Sequence, residues 1–334
     1  MNSLSEVTVI GGGSWATAIV KMLSSPEKEL KVHWWLRNPE DVAYINSHAH
    51  NPKYLSDVTI DLNKVHLYSD INMAVSASEL VVLAIPSAFF SECFAKIDTT
   101  FLAGKYFLSA IKGVVPETHQ IVSHYLETSF NVPSDHIAAI TGPCHAEEVA
   151  LEKLSFLTFA SSDESLSDMI AGIFRGRYIN TKTTTDMYGV EYSAVLKNVY
   201  AIASGICHGL GYGDNYQAVL VSSAIRETER FLDAHHELHR DVKENAYLGD
   251  LLVTAYSQFS RNRTFGTMLG KGYSVKSAQL EMNMVAEGFY ATQTMHDINK
   301  DTAADMPILE AVYDIIYRGM HPRLRMGRLS ESLN

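Results

Sequence analysis

Four strand-forming residues, Val7-Thr-Val-Ile10, run into Gly11-Gly-Gly13-Ser-Trp-Ala16 and then into Thr17-Ala-Ile-Val-Lys-Met-Leu23. A buried strand that enters a glycine turn and leaves as an amphipathic helix is the setting in which G-x-G-x-x-G/A binds a dinucleotide pyrophosphate. Gly11 allows the tight turn, Gly13 lets the backbone approach the phosphates, and Ala16 holds the third position, where Gly or Ala packs the helix closely. The glycines alone would be weak evidence. Heading an alternating strand and helix pattern, they predict an α/β Rossmann-like domain with a mainly parallel sheet.

The second strand, Lys31 to Leu36, ends where such a fold presents an acid to the adenosine ribose. Here it is followed by Arg37-Asn38, and the first acid is Glu40. Arg37 therefore predicts tolerance of a 2′-phosphate, so that NADP as well as NAD is admitted. Further strands are expected at Val65 to Ser69, Leu80 to Pro86, Tyr106 to Gly113, His136 to Pro143, Ser155 to Ser162 and Tyr178 to Thr185. Ligands gather at the carboxyl ends of such strands. Lys112, leaving the Tyr106 strand, and Thr141-Gly-Pro-Cys-His-Ala146 are the chemically loaded ends. From Glu191 strands give way to helices, which predicts a dinucleotide-binding domain over residues 1–188 and an all-α domain over 189–334.

The second domain opens on Glu191 to Asn215, where Val195, Val199, Ile202 and Ile206 recur at helical spacing and most other positions are Ala, Ser or Gly. Such a helix is buried on nearly every side, yet it carries Lys197. A buried ammonium is costly unless it is paired or its pKa falls. Ser193, Ala194, Ala201 and Ser204 leave room beside it, and Asp214 and Asn215 follow in a glycine-rich exit. Asp250, before an apolar run, suits pairing with a lysine, and Ser260-Arg-Asn-Arg-Thr-Phe-Gly266 suits phosphate.

The 334 residues carry a net charge of -11, which argues against nucleic acid as the main partner. No apolar run reaches the roughly 20 residues of a membrane span. The N-terminus enters a strand without a signal-peptide pattern, so a cytoplasmic location is expected. Cys93, Cys144 and Cys207 form no metal-type spacing. His235-His236-Glu237-Leu238-His239 is not HExxH and is expected to be a solvated helix, so no metal is expected.

The segments GGGSWATAI, SAIKG, TGPCHAEEVA, AVLKNVYAIASGICHGLGYGDN, LGDLLVT, SRNRTFG, VAEG and MPILEAVY, in this order across almost the whole chain, resemble the NAD(P)-dependent glycerol-3-phosphate dehydrogenases of the bacterial type. The resemblance implies reduction of dihydroxyacetone phosphate to sn-glycerol 3-phosphate with NADPH or NADH, for glycerophospholipid synthesis. It places the proton-transferring lysine at Lys197, a second substrate lysine at Lys112 and a substrate contact at Asp250, the three counted as catalytic. Further substrate contacts fall at Gly142, Cys144, Asn198, Ser260, Arg261 and Asn262. Cofactor contacts fall at Ser14, Trp15, Arg37, Lys112, Ala146, Arg261, Val285 and Glu287, besides the glycine turn. Cys144 departs from the usual Ser or Thr, and residues 231–247 differ from the family. A homodimer is expected. Two alternatives stay open. In a β-hydroxyacid dehydrogenase an Asn typically follows the lysine by four residues, whereas Ala201 stands there and the Asn is the adjacent Asn198. A non-catalytic NADPH sensor is opposed only by the presence of Lys112, Lys197 and Asp250.

Overall fold

The computed structural model describes residues 4–282 and 286–333. The chain forms two compact units, one of residues up to Ile111 with Val122–Met187, the other of Lys112–Ile121 with the residues from Tyr188 onward. The change at Met187/Tyr188 stands beside the expected 188/189. The segment Lys112–Ile121, expected in the first domain, belongs to the second unit.

The first unit is built on strands β1 (Glu6–Ile10), β2 (Lys31–Trp35), β3 (Val65–Tyr68), β4 (Leu80–Leu83) and β5 (Tyr106–Ser109). A two-stranded ribbon of the second unit, β6 (Val114–Val115) and β7 (Gln120–Ile121), intervenes in the sequence. The sheet then continues with β8 (Ile137–Thr141), β9 (Ser155–Ser161) and β10 (Ile179–Thr184). The order across it is β10-β9-β8-β5-β4-β1-β2-β3. All neighbours are parallel except β8 and β9. Val7, Val9, Val32, Trp34, Leu80 and Val82 have no exposed surface. Near-continuous apolar strands of this kind belong to a parallel sheet covered on both faces. The chain runs outward from β1 through β2 to β3 and then returns to β4 on the other side. The carboxyl ends of β1 and β4 are thus the point where strand order reverses, which is where such sheets bind ligands.

The strand expected over Tyr106 to Gly113 is shorter than the apolar run suggested. Its register pairs Tyr106 with Leu80 through Ser109 with Leu83, the last residue of β4, while β8 on its other side continues past Ala139 to Thr141. Beyond it Val114 and Val115 turn back on Gln120 and Ile121 in the antiparallel ribbon. The region from Tyr188 is helical, as expected, with the ribbon added to it.

In the second unit every residue from Gly189 to Cys207 of helix Met187–Gly209 is buried, and Val195, Val199, Ile202 and Ile206 are fully so. The His-rich run departs from its expectation in secondary structure only. Helix Asp214–His235 ends at its first histidine, and His236 is extended, with φ of -152°. The ring of His236 stacks on Tyr188 at 4.8 Å and that of His235 on Phe231 at 5.5 Å, while residues 235–239 are all exposed, so the run is solvated as expected but not helical beyond His235.

Glu227, fully buried in helix Asp214–His235, accepts backbone bonds from Ile308 at 2.8 Å and Leu309 at 2.9 Å. It thereby satisfies two donors at the start of helix Pro307–Ile316, whose first residue, a proline, has no N–H to satisfy. Glu227→Ala leaves both amides buried without an acceptor and lowers unfolding free energy by about 2–4 kcal/mol. Glu227→Gln keeps one acceptor oxygen and loses less. Denaturant unfolding of the two variants measures this, and equal losses would show that packing, not the amide bonds, sets the cost.

Candidate active site

In the first unit the glycine turn leaves β1 beside the end of β4. Gly11 has φ of +135°, and a Cβ there would lie 2.2 Å from the Ala84 carbonyl oxygen, so only glycine fits. Gly13 differs. Its backbone is extended (φ -81°, ψ -178°), and a Cβ would meet nothing within 4 Å. It precedes helix Ser14–Leu23 without a side-chain cap, at a helix start whose positive end favours an anion. A turn that demands glycine followed by one that leaves open space at a helix start fits the pyrophosphate of a dinucleotide. Ala16 is fully buried, as close helix packing requires.

The turn is held by residues that sequence reasoning missed. Trp34 Nε1 donates to the Gly11 carbonyl at 2.6 Å, and Asn51 Nδ2 donates to the Gly12 carbonyl at 3.1 Å and to Thr17 Oγ1 at 2.8 Å. Asn51 carries no local signature, since an Asn in a turn looks alike in sequence whether it caps itself or reaches across the fold. Arg37 is exposed at the end of β2, with its guanidinium 6.0 Å from the centroid of the Phe89 ring.

Gly142, Cys144 and Ala146 lie together after β8. Gly142 has φ of +115° and a Cβ would come 2.5 Å from the Phe156 carbonyl oxygen, so backbone geometry demands it. Cys144 is buried, and Ala146 begins helix Ala146–Ala150.

The second unit gathers the charged residues. Helix Met187–Gly209 presents Lys197, and Asp250 is the first residue of helix Asp250–Tyr256, directly after a turn of π-helix over Asn245–Gly249. Lys197 Nζ donates to Asp250 Oδ1, and Lys112 Nζ lies 3.3 Å from the other oxygen, Oδ2. Lys197 and Asp250 are both buried. Burial lowers the Lys197 pKa, Asp250 opposes the fall, and the charge of Lys112 adds to it. Burial pushes Asp250 up, but Lys112 and Lys197 together outweigh it and hold the carboxyl below the ordinary carboxylate range. One carboxylate thus fixes two cations, one of them with a proton held less tightly than a free lysine holds it. The acid before an apolar run does pair with lysine.

Arg261 is exposed at the start of helix Arg261–Gly270. Ser260 is buried, and its hydroxyl accepts the Arg263 amide at 3.3 Å as the helix cap, a local role the phosphate reading of SRNRTFG had not foreseen. Asn262 is also engaged inside the protein. Its Nδ2 donates to Asn198 Oδ1 at 2.9 Å and its Oδ1 accepts the Gly288 amide at 2.9 Å. Asn198 Nδ2 donates in turn to the Lys112 carbonyl at 3.0 Å. Glu287 begins helix Glu287–Thr302. Burial raises its pKa against the attraction of Arg261, Lys112 and Lys197. Val285 lies outside the described residues. Asp214 and Asn215 are not part of this cluster, being exposed at the start of helix Asp214–His235, where an acid favours the positive end of the helix.

A family model described as the N-terminus of NAD-dependent glycerol-3-phosphate dehydrogenase matches residues 6–167, and one described as its C-terminus matches residues 186–326. The glycerol-3-phosphate dehydrogenase (NAD(P)+) of Staphylococcus haemolyticus is 35% identical over 317 residues, 94% of each chain. That of Staphylococcus carnosus is 33% identical over 337 residues, 98% of this chain and all of the other. The crystal structure of glycerol-3-phosphate dehydrogenase from Coxiella burnetii superposes with a TM-score of 0.90 at 27% identity, covering 98% of this chain and 99% of that one. With both halves of the chain matched and relatives alike over nearly their full length, this protein belongs to the NAD-dependent glycerol-3-phosphate dehydrogenase family.

Proposed function

We propose that this chain interconverts dihydroxyacetone phosphate and sn-glycerol 3-phosphate with NADPH or NADH, in the cytoplasm and as a homodimer, supplying glycerophospholipid synthesis. The observation that carries the reading is the pair of lysines on one buried carboxylate, Lys197 and Lys112 on Asp250. Bound reduced nicotinamide supplies the hydride for the ketone carbon. As negative charge builds on the ketone oxygen, Lys197 stabilises it and delivers the proton from Nζ. Lys112 adds a second positive charge, and Asp250 keeps both ammonium groups oriented. Burial suits Lys197 to proton transfer because it lowers the pKa toward working pH. Arg261 holds the phosphate dianion as a forked donor. Gly142 and Cys144 border the substrate. Ser260, Asn262 and Asn198 contact the substrate beside Arg261, and Ser260 and Asn262 also hold its helix in place. Arg37 accommodates the 2′-phosphate of NADPH, while Ala146, Val285 and Glu287 complete the cofactor's surroundings.

Purified protein mixed with NADPH and dihydroxyacetone phosphate oxidises the nicotinamide, followed by its absorbance, and phosphate-free dihydroxyacetone reacts far more slowly. Absence of oxidation with the phosphorylated ketone, or equal rates with both ketones, overturns the assignment. Arg261→Ala removes a charge-assisted pair of bonds typically worth about 1.5–3 kcal/mol, so KM for dihydroxyacetone phosphate rises about 10-fold or more. Steady-state kinetics with phosphate-free dihydroxyacetone shows little change. A similar loss with both ketones would assign Arg261 to structure or cofactor.

A further inference from the structure

Helices Met187–Gly209 and Arg261–Gly270 of the second unit meet backbone against backbone. A Cβ on Gly205 would lie 2.0 Å from the Arg263 carbonyl oxygen, and one on Gly209 2.4 Å from that of Thr267. The contact is reciprocal. A Cβ on Gly266 would lie 2.1 Å from the Ile202 carbonyl oxygen, and one on Gly270 2.3 Å from that of Ile206. Four-residue spacing puts each glycine pair on one face of its helix, so the two backbones interlock at a separation that any side chain would widen. The start of helix Glu287–Thr302 approaches the first helix in the same way, since a Cβ on Gly288 would lie 2.6 Å from the Asn198 carbonyl oxygen.

At this junction the two asparagine amides run in series from the Lys112 carbonyl through Asn198 and Asn262 to the Gly288 amide. Every member of that series either is, or is next in sequence to, one of the charged residues Lys112, Lys197, Arg261 and Glu287. Glycine costs a helix conformational entropy, and four glycines at one helix contact therefore stand against propensity for a reason of geometry.

We infer that Gly205, Gly209, Gly266, Gly270 and Gly288 are positioning residues for the reaction, setting the spacing between Lys197 and Arg261 through the backbone contact and the asparagine series. The inference rests on the roles proposed above for those two residues. In a three-carbon substrate only a few bonds separate the phosphate from the ketone oxygen, so their distance varies over a narrow range. The two helices that would grip them must hold that distance, because a misplacement of about 1 Å can cost on the order of 10²-fold in rate.

The test is Gly266→Ala, whose Cβ must push against the Ile202 backbone, assayed well below its melting temperature and per folded molecule. The expected result is a fall in kcat/KM for dihydroxyacetone phosphate of at least about 10-fold, with the rate on phosphate-free dihydroxyacetone changed less than about 3-fold, since that ketone does not span both groups. A merely structural glycine lowers both rates in the same proportion, and that result, or no loss on either ketone, overturns the inference. If Gly266→Ala does not fold, Gly288→Ala replaces it, because after the Asn198 carbonyl its next neighbours include the movable Ile202 Cδ1 at 2.9 Å. The same two outcomes then decide. Arg261→Ala run alongside separates this inference from its basis. Equal loss on both ketones with Arg261→Ala defeats the phosphate role itself, whereas a selective loss there with a proportional loss in the glycine variant defeats only the positioning.

Discussion

Lys197→Met lowers kcat for reduction of dihydroxyacetone phosphate by at least about 10²-fold, with NADPH affinity unchanged. The substitution keeps the length and apolar stem of the side chain and removes the group that would neutralise the developing alkoxide. Asp250 retains Lys112 at 3.3 Å, so its carboxylate is not left without a cation, and apolar volume in place of a buried charge is often tolerated. A lysine serving only the core predicts the reverse, a much lower melting temperature with activity per folded molecule kept. Measuring both on one preparation decides it, and near-normal kcat in the folded fraction removes Lys197 from the mechanism. The wild-type pH profile bears on the same point. Because burial and Lys112 lower the Lys197 pKa, the protonated, active form is lost as pH rises through a value below the ordinary lysine range of about 10.4. The alkaline limb of kcat for reduction therefore falls below that range.

Gly13→Val abolishes NADPH and NADH binding in a protein that still folds. The backbone at Gly13 is one any residue adopts, and the space its Cβ would enter holds no protein atom within 4 Å, so the fold has no reason to reject the side chain. A branched side chain there fills the open space where the pyrophosphate approaches the amides at the helix start. Gly11→Ala is the contrasting variant. With φ of +135° and the Ala84 carbonyl 2.2 Å from the new Cβ, it damages the turn itself and lowers stability as well as binding. Titration of each variant with NADPH, together with its melting temperature, separates the two effects. Full affinity in folded Gly13→Val would mean that the pyrophosphate does not approach this turn.

How much of this was legible in the chain can be read from particular residues. The strand, glycine turn and helix at Val7 to Leu23 are set by local physics. Only glycine takes the backbone at position 11, and apolar spacing alone distinguishes the strand before it from the helix after it. Burial of the helix around Lys197 was equally plain, since a run of small and apolar residues has no solvent face to offer. The demand that Lys197 be paired followed from the cost of burying an ammonium. Its pairing with Asp250, 53 residues away, was suggested by an acid placed before an apolar run, but Lys112 as the second cation on the same carboxylate was not visible. Sequence periodicity describes the neighbours a residue has along its own element, not those that packing brings from elsewhere. For that reason Asn51 and Trp34 on the glycine turn, and the series Asn198–Asn262–Gly288, emerged only from the tertiary structure. The same reason explains the misread features. Tyr106 to Gly113 is apolar enough for one long strand, yet the strand ends at Ser109 and the chain turns away into the ribbon of Val114–Val115 and Gln120–Ile121. Ser260 and Asn262 make structural bonds besides the substrate contacts proposed for them, and the sequence showed neither bond, because a polar side chain has the same signature whether it faces a ligand, caps a helix or satisfies a buried amide. Which of these it does is set by the groups that folding places within about 3 Å of it.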